Sequence, residues 1–229
     1  MLQIRNGPCM PAEPLQFLGA GTTRQSSGKD SPMNRWRTYW IRWFGGWMIV
    51  SGMLASTLAT SSEIDLAARL KQGGHVLMLR HAHALGFGDP PEFQLDDCAT
   101  QRNLDASGRA QATAIGEWLH RQGVWETRVY SSQWCRCLET ARLLRLGPVT
   151  PLPALNSFFE RTQDRLSSLV ALNAFFARQP ADGPLLVMVT HFVNIQAVAG
   201  YGVGSGEGVG LQLRAGEAPR VVGRVDFKQ

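Results

Sequence analysis

Cysteine is scarce in this chain, with four in 229 residues, and the three beyond residue 60 (Cys98, Cys135 and Cys137) make no metal-ligand pattern. A single residue separates Cys135 from Cys137, where metal pairs usually have two or more, and no matching Cys/His pair follows. A structural zinc site is therefore not expected. One disulfide, from Cys98 to either Cys135 or Cys137, would leave one thiol free and suits an oxidising compartment. Excess charge of one sign is lacking too where it would matter. The formal +5 is concentrated early: residues 1–59 carry six Lys/Arg against two Asp/Glu, and residues 60–229 carry 17 against 16. The main body thus has no basic excess of the kind that nucleic-acid binding requires. No internal repeat is visible, so an array of repeats is excluded.

Charge is also missing between Arg42 and Glu63. A cationic stretch from Met33 (Arg35, Arg37, Arg42) precedes an uncharged, largely apolar run from Trp43 to Ala55. Small residues, Ser56-Thr57-Leu58-Ala59, then follow. This layout predicts a signal peptide over 33–59, cleaved after Ala59. The other reading is an uncleaved membrane anchor, against which its three glycines and Ser/Thr-rich end weigh, since a span needs about 20 predominantly apolar residues. No cysteine near the cleavage region supports a lipid anchor. Residues 1–32, rich in Gly, Pro, Ser, Thr and Gln, would bury an n-region that should be terminal. They are expected to be a non-native stretch upstream of a true start at Met33, or a disordered leader. Export places the mature chain in the periplasm or outside the cell, with membrane contact only if the segment stays attached.

What is present, with 44% hydrophobic residues and 18% charged, is enough apolar material for one core. Strand and helix signals alternate over 60–229. Helices are expected at 62–72, from 108 to about 122, at 133–146, at 164–178 and near 194–200. Expected inward stripes are Ala110, Ala114, Ile115, Trp118 and Leu119 on the second helix, and Leu166, Leu169, Val170, Leu172, Phe175 and Phe176 on the fourth. Strands are expected at 75–80, 128–130 and 185–190, with an antiparallel pair at 209–214 and 220–227. The fold class is α/β: a single domain built as a three-layer α/β/α sandwich around a mostly parallel sheet.

Two of the apolar strands end on histidines. His75-Val76-Leu77-Met78-Leu79-Arg80-His81 and Leu185-Leu186-Val187-Met188-Val189-Thr190-His191 both read as strands covered on two faces. Strand ends are where an open α/β sheet presents its ligand groups, so one crevice holding both histidines is expected. Two further segments belong with them: Arg102-Asn103-Leu104, and Ser131-Ser132 leading to Arg136 and Glu139-Thr140-Ala141. Arg80-His81-Ala82, Leu104…Gly108-Arg109-Ala110-Gln111-Ala112, Ser131-Ser132…Arg136…Glu139-Thr140-Ala141 and Val189-Thr190-His191 occur in that order. Together they resemble the histidine phosphatase superfamily, with its phosphoglycerate-mutase-like fold, over roughly residues 73–215.

The resemblance implies a phosphatase acting on a phosphomonoester. His81 would be the nucleophile, becoming a phosphohistidine, and Arg80, Arg136 and His191 would surround the phosphate. Guanidinium forks suit this task because they stay cationic and bind phosphate oxygens two at a time. Charge spread over the equatorial oxygens in the transition state then needs no metal ion, so no cofactor is implied. Glu160 is the expected general acid, and Asp89, in the loop after His81, is its rival or a substrate contact. Arg102 either caps a helix or completes the phosphate pocket. Ala82 and His83 differ from the Gly-Glu of mutases and resemble the small Arg-His-Ala bacterial phosphatases. Phe192 stands where the acid-phosphatase and phytase branch has an aspartate. A small-molecule or sugar phosphomonoester is the expected substrate, a lipopolysaccharide sugar phosphate among them. The other readings are an impaired phosphate-binding or interaction module on the same fold, and a metal site at His81 and His83, which lacks a third ligand. His75 and His120 are expected to be structural or surface residues.

Overall fold

The computed structural model describes residues 66–227. The expected leader (1–32), signal segment (33–59) and first residues of the 62–72 helix lie outside them. Residues 66–70 are helical. The chain then runs β1 (His75–Arg80), α1 (Ala106–Arg121), β2 (Thr127–Ser131), α2 (Cys135–Leu143), β3 (Val149–Pro151), α3 (Arg165–Ala177), β4 (Leu185–Thr190), α4 (Phe192–Ala199), β5 (Gly208–Gln212) and β6 (Arg220–Val225). The six strands form one sheet in the order β3-β2-β4-β1-β5-β6. Strands β3, β2, β4 and β1 are parallel, while β5 runs antiparallel to both β1 and β6.

The continuous apolar runs of β1 and β4 have the cause expected of buried parallel strands, because both sheet faces are covered. Successive side chains point to opposite faces. Leu77, Leu79, Leu185, Val187 and Val189 pack with Leu66 and Leu70, Ile115 and Leu119 of α1, and Cys137 and Ala141 of α2. Val76, Met78, Leu186 and Met188 pack on the other side with Leu172 and Phe176 of α3 and Ile195 of α4. The result is the α/β/α sandwich expected.

Four details differ from the sequence expectation. Helix α2 stops at Leu143, because Arg145 takes a left-handed φ of 54° and turns the chain before Gly147. The short strand β3 has no periodicity to announce it, and it lies at the sheet edge, where Pro151 is tolerated. On α3, Leu166 and Val170 are exposed and only Leu172 and Phe176 are fully buried. Leu166 and Val170 lie about 120° round the helix from that stripe, so apolar residues cover more of α3 than the sheet can accept. On α1 the buried stripe is Gly108, Ala112, Ile115, Gly116 and Leu119, with Ala110 outside it. Gly116 is there because a Cβ would stand 2.2 Å from the Leu144 carbonyl oxygen at the end of α2.

The core therefore fixes where the chemistry falls. His81 follows β1, Ser132 follows β2 and His191 follows β4, all at the same edge of the parallel strands. Hydrogen bonds lock these ends together: the His81 amide donates to the Thr190 carbonyl at 3.0 Å and the Ser132 amide to the Val189 carbonyl at 2.9 Å.

Candidate active site

A cavity of about 600 Å³ opens at this edge. It brings together Arg80, His81, Asp89, Arg102, Arg136, Glu160 and His191, the residues singled out in the sequence.

His81 is buried, and its Nδ1 lies 2.8 Å from the carbonyl oxygen of Ala82. A carbonyl can only accept, so Nδ1 carries the proton and Nε2 keeps its lone pair. Burial, reinforced by the nearby Arg136 and Arg80 charges, lowers the pKa of His81 to about 3. The ring is thus neutral, which a nucleophile requires. Its position is held from two sides. The Gly206 amide donates to the His81 carbonyl at 3.2 Å, and the Ala82 amide donates to Thr140 Oγ1 at 3.1 Å. Thr140 also donates to the Arg136 carbonyl one turn back at 2.7 Å, so a single hydroxyl ties the His81 loop to α2.

His191 is also buried, and its ring meets that of His81 edge-on at 5.6 Å between centroids. Its Nε2 faces inward, 2.9 Å from Ser132 Oγ and 3.5 Å from the Cys137 thiol. Burial, and then the His81 ring, hold its pKa well below the usual histidine range. Cys137 is fully buried, and burial pushes its thiol up to about 12, so it is a neutral packing group.

Three arginines surround His81. The Arg80 guanidinium donates to the Val203 carbonyl at 3.0 Å and stacks on Phe192 at 5.5 Å. Arg102 donates through Nε to the Gly88 carbonyl and through Nη1 to the Ala84 carbonyl, each at 2.7 Å. It shapes the 84–88 loop and borders the cavity, and it caps no helix. Arg136, in the first turn of α2, grips Asp89 with both terminal nitrogens, at 2.7 and 3.0 Å. This pair is almost completely sequestered, at 4% and 8% side-chain exposure. The Nε atoms of Arg80 and Arg136 are buried without a partner, two unspent donors beside the nucleophile. The Arg136 fork is therefore not open, as the sequence reading has it, but already holds a carboxylate.

Asp89 accepts from the Arg102 amide at 3.1 Å and Trp134 Nε1 at 3.0 Å as well. Burial alone would raise its pKa, but the bonds from Arg136, Arg102 and Trp134 outweigh it and hold the carboxyl below its ordinary value. An ionised carboxylate fixed in this way is no proton donor. Glu160 is exposed on the cavity rim, and its carboxylate reaches the 84–89 loop, where a Cβ on Gly88 would stand 2.8 Å from Oε1. Its segment is anchored by Asn156, which accepts from the Gln133 amide and whose carbonyl accepts from Asn194 of α4, both at 2.9 Å.

His83 turns away from His81: its Nδ1 pairs with Asp105, the N-cap of α1, at 2.8 Å. Among the described residues no cluster of three His, Cys, Asp or Glu could hold a metal ion. His75 is buried with Nδ1 on the Gly73 carbonyl, and His120 stacks on Trp125 at 4.8 Å. The disulfide joins Cys98 to Cys135, tying the loop that carries Asp89 and Arg102 to the residue before Arg136. Closing a loop with a sequence separation of 37 removes about 3–4 kcal/mol of unfolded-state entropy in the chain-entropy model. Sequence reasoning missed Ser132's contact with His191, Trp134's hold on Asp89 and the aromatic lining (Phe87, Phe93, Phe159). Only the ring count in 84–101 and 152–163 could have signalled the last.

The model of the histidine phosphatase superfamily, branch 1, matches residues 76–163, which include Arg80, His81, Arg102, Arg136 and Glu160. Over that segment the chain is similar to the histidine phosphatase superfamily. His191 lies beyond the matched segment and joins the site through the fold. No curated protein matches the chain. Among solved structures it is similar to a protein of Agrobacterium tumefaciens provisionally described as phosphohistidine phosphatase SixA, at 20% identity over 67% of this chain and 98% of that one, with a TM-score of 0.43. It is similar also to a variant of TTHB049 from Thermus thermophilus, at 17% identity over 66% and 99%, TM-score 0.46. A third is the product of an open reading frame of Mycobacterium tuberculosis, at 16% identity over 65% and 95%, TM-score 0.45. The chain presents a buried histidine among arginines, an arrangement suited to phosphatase chemistry.

Proposed function

We propose that this chain is an exported phosphatase that hydrolyses a phosphomonoester through a phosphohistidine on His81, without a metal ion. One observation carries the reading: a neutral, buried His81 whose Nδ1 is tied to a carbonyl, with Nε2 free among three guanidinium groups and His191. In the first step Nε2 attacks phosphorus, the N–P bond forms and the ester P–O bond breaks. The departing alkoxide takes a proton, for which Glu160 is the nearest candidate on the rim. Water then attacks the phosphohistidine, giving a proton back to Glu160; the new P–O bond forms, the N–P bond breaks, and inorganic phosphate leaves His81 neutral. Arg80, Arg136 and Arg102 supply the positive charge that stabilises the equatorial oxygens. Export is supported by the layout of residues 33–59 and by the Cys98–Cys135 disulfide, which suits an oxidising compartment.

Incubating the protein with an aryl phosphate, with and without a chelator, tests this. Turnover should resist the chelator and an acid-labile phosphoenzyme should be trapped. His81→Ala should lower kcat by at least about 10³-fold. Turnover that survives His81→Ala sinks the proposal, and turnover lost on chelation favours a metal site. Phosphate binding with no phosphoenzyme would leave an impaired binding module.

A further inference from the structure

We infer that the alcohol portion of the substrate is apolar and uncharged, an aryl or alkyl group; this rests on the phosphatase reading above. Phe87, Phe93, Trp134, Phe159 and Phe192 line the cavity that holds His81. Phe87 comes from the loop after β1 and Phe159 from the segment between β3 and α3. They meet edge to face at 5.0 Å between ring centroids, joining two separate stretches of chain across the rim. Yet Phe87 is 85% exposed and Phe159 44%. Contributing so little to the core, these side chains form an apolar patch at the mouth of a charged pocket, and such patches mark binding surfaces. Phe192 is 40% exposed as well, with Arg80 against its ring.

The polar groups of the rim support the same class. The side chains of His83 and Arg161 are already paired with Asp105 at 2.8 Å and Asp164 at 2.5 Å. The rim therefore offers neither of them free to a second phosphate or a carboxylate on the substrate. Glu160, lying over Gly88, adds no positive charge to the rim. A sugar would press its hydroxyls against five aromatic rings and find few partners on the rim, chiefly Ser157, Ser205 and Glu160. Hydroxyls left without partners in such a setting cost binding energy, whereas an apolar group gains by leaving water. The wall thus favours a different class from the sugar phosphate that the compartment alone suggests.

Phosphonates test the inference because they are not hydrolysed, so leaving-group ability plays no part. Methyl-, phenyl-, hexyl- and 2,3-dihydroxypropylphosphonate are titrated into the full chain by calorimetry, with inorganic phosphate as reference. Phenyl- or hexylphosphonate should bind at least about 10-fold more tightly than the methyl and dihydroxypropyl compounds. Phenyl ahead of hexyl assigns an aryl substrate, and the reverse order an alkyl one. In the Phe87→Ala/Phe159→Ala double variant the preference should fall to within about threefold of unity. Both rings are exposed, so folding is not at stake, and circular dichroism verifies it. Equal affinities across the series, or tighter binding of the dihydroxypropyl compound, overturn the inference while leaving the phosphatase reading standing. If neither inorganic phosphate nor methylphosphonate binds, the phosphatase reading itself fails and this inference goes with it.

Discussion

The Asp89 carboxylate occupies the two terminal nitrogens of Arg136, the same donors a phosphate dianion would seek. It is both anchor and competitor. As an anchor it neutralises a guanidinium that would otherwise be buried alone, and removing one partner of such a pair costs about 3–5 kcal/mol. As a competitor it limits phosphate to the unpartnered Nε atoms and whatever Arg136 can release. Asp89→Asn should therefore lower stability by about 3 kcal/mol. It should also enlarge the stabilisation that inorganic phosphate provides, because the dianion then inherits the Arg136 fork. Urea unfolding of both proteins, with and without phosphate, measures the two effects. A variant as stable as the parent, or one no more responsive to phosphate, would show that Asp89 does neither.

Among the elements, α1 governs the site through its contacts at two glycines. At Gly108 a Cβ would stand 1.9 Å from the His83 carbonyl oxygen, two residues beyond the nucleophile. At Gly116 the obstacle is the backbone of Leu144, at the far end of α2. Both alanine variants should lose about 1–3 kcal/mol through overpacking. Only Gly108→Ala should also lower kcat, by about 10-fold or more, because the displaced backbone leads to His81. Comparing kcat with urea midpoints separates a shift of the site from a general loss of stability. Equal kcat in the two variants would remove the link. Gly108 was legible as part of a motif, but its reason was not, since the close approach depends on where the His83 loop runs. The strands were legible for a physical reason: burial on both faces writes a continuous apolar run into β1 and β4. Helix α3 was misread in part because its apolar residues spread beyond the stripe the sheet accepts. The Asp89–Arg136 pair, 47 residues apart, has no sequence signal of its own. The disulfide partner was ambiguous because Cys135 and Cys137 share a helical turn, and only the path of the 84–103 loop selects Cys135.

For the molecule as a whole, two buried histidines set the response to acid. His81 and His191 have folded pKa values below the ordinary 6.5, with His81 at about 3. In the unfolded chain both take up protons as pH falls through about 6.5, while the native state takes up none at His81 until about 3. Stability therefore rises with pH across that window and is lost as pH falls through it. Each proton bound only by the unfolded chain costs about 1.4 kcal/mol per pH unit. Asp105, lowered to about 2, and Asp89 act in the same sense further down, their contributions being present above the unfolded carboxylate range and lost below it. Urea midpoints should fall steadily from pH 7 to pH 5, and a constant midpoint would mean that neither ring has a depressed pKa in the native state.

Cys137, the thiol left over when Cys98 and Cys135 pair, gives the molecule a built-in clock. A sulfur with no exposed surface and a pKa of about 12 offers almost no thiolate to an alkylating reagent while the core is closed. It sits on α2 with its sulfur against the end of β4 and His191, so any opening that exposes it must also dismantle the phosphate pocket. The rate at which Cys137 is alkylated under native conditions then counts excursions of the active centre itself. A bound phosphate should slow that count by the same factor by which it stabilises the closed form.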